Sequence, residues 1–207
     1  MGQKEEVTYY LHSSMTTTRL EAFSDGVLAI IITIMVLEIK VPHDTSWKSL
    51  LALAPVFNSY VLSFIYVGIY WGNHHHLLHT IKHTSSRIIW ANLHLLFWLS
   101  LIPFATGWMG ENHFEQNTVV VYGALLICCA IAFTILQLII QKEHPKSPQL
   151  ETAFAKLRTK GFISLAGYFA GVGLAFINTT FSFSIFVAIA ILWLIPDRGL
   201  EKALKNE

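Results

Sequence analysis

The sequence predicts an all-α, polytopic membrane protein of six transmembrane helices, on three observations. Of its 207 residues 54% are hydrophobic and 13% charged, and the mean hydropathy of +0.52 exceeds that of a soluble domain of this length. Six apolar segments can be read, at 20–39, 51–71, 88–109, 118–140, 161–177 and 181–195, most of them near the ~20 residues that cross a bilayer core. Charge placement agrees with that count. With six spans and both termini cytoplasmic, Lys40 and Lys48 alone among the lysines and arginines fall outside, the asymmetry of the positive-inside rule.

The spans follow one another too closely to leave room for a soluble domain. The chain therefore reads as a single membrane domain over 1–207, with a polar N-terminus at 1–17 and a charged tail at 197–207. The apolar run starts too late, and lacks the small-residue site, for a cleaved signal peptide, so the first helix is expected to be retained. In that helix Thr18 and Glu21 have capping-box spacing, predicting a start at Arg19. Pro42 sets its end, and residues 19–40 would span about 33 Å. In the third segment Pro103 predicts a kink. Residues 141–160, with Pro145 and Pro148, predict a polar loop. The last two segments are separated only by Asn178, Thr179 and Thr180, which predicts a tight helical hairpin. Gly167 and Gly171, with Gly173 nearby, predict close approach of the fifth helix to a neighbour.

Chemistry-bearing residues concentrate near the predicted cytoplasmic ends. Asp25 sits at the start of an apolar run, where a carboxylate is costly unless it faces protein and is paired; the alternative is that it snorkels to the interface. YWGNHHHLLH (residues 70–79) and WANLH (90–94) fall at the same level. Their imidazole, indole and carboxamide groups supply donors for Asp25 and Ser24. His75, His79 and His83 recur every four residues, a ligand-like spacing. No HExxH or cysteine pair accompanies them, so neither a metal site nor haem is expected. Cys128 and Cys129 are adjacent on one helix and badly placed to bond each other. A net charge of +1 gives no reason to expect nucleic acid, and no nucleophile elbow, phosphate loop or carboxylate pair supports an enzyme.

At 100° per residue, Arg19, Phe23, Gly26, Ile30, Thr33, Ile34 and Leu37 share one face of the first helix. Spacing alone leaves it open whether this stripe packs on another helix or lines a pore. RLEAFSDG (residues 19–26) resembles the signature of the bacterial members of the transmembrane protein 175 family, potassium channels related to the animal lysosomal channel. Tyr70-Trp71-Gly-Asn-His74-His75, Trp90-Ala-Asn92 and Pro103-Phe104-Ala-Thr106 are similar to its second- and third-helix motifs.

The resemblance implies six helices per chain in a homotetramer around a central pore, in a bacterial inner membrane, with K+ as permeant ion and no cofactor. It implies that the first helix lines the pore, with a hydrophobic constriction at Ile30, Ile34 and Leu37 and Thr33 beside them. It also assigns Arg19, Phe23, Ser24, Asp25, His74, His75, Trp90 and Asn92 to a network anchoring the pore helix. Thr33 would offer a weak polar ring, unless its hydroxyl bonds back to the Ala29 carbonyl. Glu38 stands near the outer mouth, where it either attracts cations with the helix C-termini or is an ordinary solvent-facing carboxylate. The rival function is a proton-coupled secondary transporter using Asp25 and the histidines as a relay.

Overall fold

The computed structural model describes residues 16–81, 83–143 and 147–195. The polar N-terminus up to residue 15, Lys82, Pro145 and the charged tail lie outside the described residues. Within them the fold is helical: α1 (Thr17–Met35) with a 3-10 turn (Val36–Glu38), α2 (Trp47–Leu51), α3 (Ala54–Leu78), α4 (Ser86–Ser100), α5 (Ile102–Glu111), α6 (Gln116–Glu143), α7 (Pro148–Ala175) and α8 (Thr179–Leu194). Three stretches, Thr17–Glu38, Ser86–Glu111 and Gln116–Glu143, are long and apolar enough to cross a membrane. The chain is an integral membrane protein.

Several boundaries differ from the sequence reading, each for a local reason. The capping box does not form, because the helix starts before Thr18: Thr16 is the N-cap and makes no side-chain cap bond, and Glu21 falls in the second turn, where its carboxylate meets His75 on α3. The third segment is interrupted at Leu101, and Pro103 sits in the first turn of α5, where its missing N–H costs no helical bond. Most of the expected loop at 141–160 is helix. α6 continues to Glu143, and α7 begins at Pro148, with the Ser147 hydroxyl accepting from the Leu150 N–H. The hairpin between α7 and α8 is as tight as expected, since the Asn178 side chain caps α8 by accepting from the N–H groups of Thr180 and Phe181.

Two packing units meet along the middle of the bundle. α6, α7 and α8 lean on one another, and α1 packs on α3, α4 and α5. Gly167 and Gly171 let α8 close in: a Cβ at Gly171 would stand 2.5 Å from Phe186 Cε1, and one at Gly167 2.8 Å from Ile189 Cδ1. Phe186 in turn meets Tyr122 and Tyr168, and its carbonyl accepts from the Tyr66 hydroxyl at 2.6 Å. These contacts join α3, α6, α7 and α8. Cys129 is buried and Cys128 half-buried, both as free thiols. α1 is left at the edge of the bundle, with its main neighbours all on one side.

Candidate functional site: the two faces of the first helix

The inner face of α1 is built from Leu20, Ser24, Leu28, Ile31 and Met35, all buried. Three and four residues apart, they form the row that a helix presents to a neighbour. The opposite row is bare. Phe23 is 53% exposed, Ile30 57%, Ile34 42% and Leu37 76%, and Arg19, Gly26 and Thr33 are exposed beside them. This is the same stripe that the period of the sequence isolates. Leu37 belongs to the 3-10 turn, so the row leaves the α-helix before its last member. The Thr33 hydroxyl lies 3.0 Å from the carbonyl oxygens of both Ala29 and Ile30, the back-bonded arrangement.

A buried polar chain fixes the other face. Ser24 Oγ donates to the Leu20 carbonyl at 2.8 Å, Asn92 Nδ2 donates to Ser24 Oγ at 2.9 Å, and Asn92 Oδ1 lies 2.6 Å from His74 Nε2. Since Asn92 Oδ1 can only accept, His74 carries its proton on Nε2 in this pair. His74 Nδ1, on the far side of the ring, is buried with no partner among the described residues. Asp25, half-buried, accepts from Trp71 Nε1 at 3.0 Å. The start of α1, the end of α3 and the first turns of α4 are thus held at one level.

Helical geometry selects among the residues the sequence singled out. His74 enters the polar chain, whereas His75, about 100° further round α3, faces Glu21 with Nδ1 2.7 Å from Oε1. The indole in the network is that of Trp71. Trp90 is two positions from Asn92, so it projects from the opposite side of α4 and is 72% exposed. Arg19 and Phe23 also face outward, and within the single chain neither reaches Ser24 or Asp25 through a hydrogen bond among the described residues. His83 lies past the end of α3, in an isolated backbone bridge with Thr16, and so falls out of the four-residue series. Glu21 was read only as a cap, and its role shows once α1 and α3 are docked.

At the far end Glu38 is half-buried. Its carboxylate lies over Gly107 of α5, with Oε2 3.1 Å from where a Cβ would stand. Lys40 pairs with Glu111, and the bonded carboxylate raises the lysine pKa. Between α1 and α5 runs a groove of about 640 Å³ lined by Ile30, Ile34, Glu38, Phe104, Trp108 and Glu111, among others. In the loop beyond, Asp44 accepts from the Ser46 N–H at 2.7 Å and from the Ser49 hydroxyl. These bonds hold its carboxyl down at about 2.

The geometry defines a helical membrane protein with one apolar helix face left uncovered, braced by a polar chain behind it. Residues 19–103 match the family model described as "Endosomal/lysosomal potassium channel TMEM175". A potassium channel of Chryseobacterium sp. (strain P1-3) is 52% identical over 192 residues, 93% of this chain and 100% of that one. One of Streptomyces collinus is 32% identical over 77% of this chain and 82% of its own. The crystal structure of a lysosomal potassium-selective channel TMEM175 homolog from Chamaesiphon minutus superposes with a TM-score of 0.76 at 28% identity, covering 86% of this chain and 96% of that one. The chain belongs to the TMEM175 family, and so to ion channels and not to enzymes.

Proposed function

We propose that four copies of this chain assemble in a bacterial inner membrane, termini cytoplasmic, as a potassium-selective channel whose pore is lined by the bare face of α1. The observation that carries this reading is the division of α1 into a row that the fold buries and an apolar row of Phe23, Ile30, Ile34 and Leu37 that it leaves exposed. One such helix per chain cannot enclose a path, whereas four can. Rings of Ile30, Ile34 and Leu37 form the constriction. An ion passing them sheds water without gaining oxygen ligands, and K+ gives up its water more cheaply than Na+. The preference is therefore real but moderate, and Thr33, with its hydroxyl proton bonded back to the helix, offers only its oxygen lone pairs between the apolar rings.

The neighbouring chain packs into the groove between α1 and α5. Arg19, Phe23 and Trp90, outward-facing in the single chain, extend the anchoring network across the boundary between subunits. Glu38, with the C-terminal ends of four helices, concentrates cations at the outer mouth. Asp25, bonded to Trp71, acts as an anchor and not as a station in a proton relay.

The test is K+ and Na+ flux into liposomes holding purified protein, with wild type beside Ile30→Asn and Leu37→Asn. Wild type conducts K+ in preference to Na+, and each substitution raises flux while admitting more Na+. Unchanged flux and selectivity in both variants would remove the constriction from these positions. Saturable flux abolished only by Asp25→Asn would replace the channel with the transporter.

A further inference from the structure

The carboxylate of Glu21 on α1 meets two imidazoles from the last turns of α3. Glu21 Oε1 lies 2.7 Å from His75 Nδ1 and 3.5 Å from His79 Nε2, and one ligand atom from each of the three residues lies within 4.8 Å of the others. His75 and His79 are one helical turn apart, which brings their rings edge to face with centroids 4.3 Å apart and planes at 78°. The Trp71 indole stacks on His75 at 6.3 Å with an interplanar angle of 29°, so the residue that holds Asp25 also restricts this ring. Two metal bonds of 2.0–2.2 Å in tetrahedral geometry place their ligand atoms ~3.3 Å apart. Glu21 and His79 already stand near that separation, and Glu21 and His75 need only part by a fraction of an ångström.

We propose that Glu21, His75 and His79 form a binding site for a late first-row divalent metal of the zinc class, clamping the first turns of α1 to the end of α3. Two imidazoles and one carboxylate suit Zn2+, Cu2+, Ni2+ or Co2+ over Mg2+ or Ca2+, which seek oxygen-rich shells. The Glu21 side chain is 17% exposed and those of His75 and His79 are 41% and 52% exposed, so an ion has an entry path and a fourth position open to water. The same exposure makes the site exchangeable. The binding claim stands on this geometry and not on the channel reading.

The experiment is titration of the purified full chain in detergent with Zn2+ by calorimetry, and with Co2+ by visible absorption, for wild type, Glu21→Gln, His79→Ala, His79→Cys and, as a control in the exposed loop, His43→Ala. The expected result is one tight equivalent per chain in wild type and His43→Ala, and an affinity loss of at least ~10-fold in Glu21→Gln and His79→Ala. His79→Cys retains binding with a thiolate-type shift of the Co2+ spectrum, which separates loss of a ligand from loss of fold. Zn2+ also raises the unfolding temperature of wild type and not of His79→Ala, as linkage requires. Affinities equal across all variants would overturn the site, placing the ion on other histidines, as would absence of binding at millimolar Zn2+. Both readouts are independent of ion flux, so failure of the metal site and failure of the channel reading are told apart.

Discussion

α1 and α6 are both strongly apolar, yet of the most apolar 18-residue stretch of each, 28% is buried within the chain for the first against 56% for the second. Hydropathy does not distinguish a surface that meets lipid from one that meets protein or lines a path, because all three tolerate leucine and isoleucine. The distinction lies in what stands behind the helix. α6 is surrounded by α4, α5, α7 and α8 and packs through side-chain shape. α1 is pinned from one side by directional bonds at Ser24 and Asp25, which leaves its other side free for a partner or a pore.

The sharpest way to break this comparison is to place the same polar group on either side of α1. Ile31→Asn buries an amide on the inner row, and we expect a loss of stability of about 2–5 kcal/mol by thermal unfolding in detergent. Ile34→Asn, on the bare row, leaves the unfolding temperature of the dissociated chain within a degree or two. Equal losses would mean that both rows are packed. Next in size is Asn92→Leu, which strips Ser24 of a donor and His74 of its acceptor. With ~1–3 kcal/mol for each orphaned buried group, it destabilises more than Trp71→Phe, which gives up one bond worth about 0.5–1.5 kcal/mol.

On the α6–α8 side, shape and not polarity is the sensitive variable. Gly171→Ala forces a methyl against Phe186 and costs about 1–3 kcal/mol, whereas Gly173, with nothing within 4 Å of its Cβ position, accepts alanine without loss. The smallest effect concerns the loop after α1. The Asp44 pKa is depressed in the folded chain, so its stabilising contribution is present above the ordinary value of 3.8 and lost as pH falls through about 2. Amide exchange at Ser46 should stay protected to near pH 3 in wild type and lose protection in Asp44→Ala, which has no side-chain acceptor, at any pH.

Much of this was legible in the sequence because it rests on period. The bare row of α1 follows from residues three and four apart, and the donors for Asp25 and Ser24 were traceable to two short segments. Which residue within each segment makes the bond was not, since His74 and His75, or Trp90 and Asn92, differ only in angle around a helix whose docking is set by tertiary contacts. The first half of α7 was missed because a polar helix leaves no hydropathy signal and Pro148, at its first position, reads equally as a breaker. Glu21 was misread because a capping box and an interhelical carboxylate share the same residue type at the same place.

The hydroxyl of Thr33 gives its proton back to its own helix. An oxygen in that state can accept a charge-dipole contact but cannot donate one, so it has a sign. On the pore reading, a ring of four such oxygens is a filter for the sign of charge: its lone pairs favour a partly dehydrated cation and repel an anion, with no ionised side chain in the apolar stretch and hence no dependence of that preference on pH. A serine at this position would lack the methyl that helps to fix the rotamer, and its freer hydroxyl could turn outward and surrender that polarity.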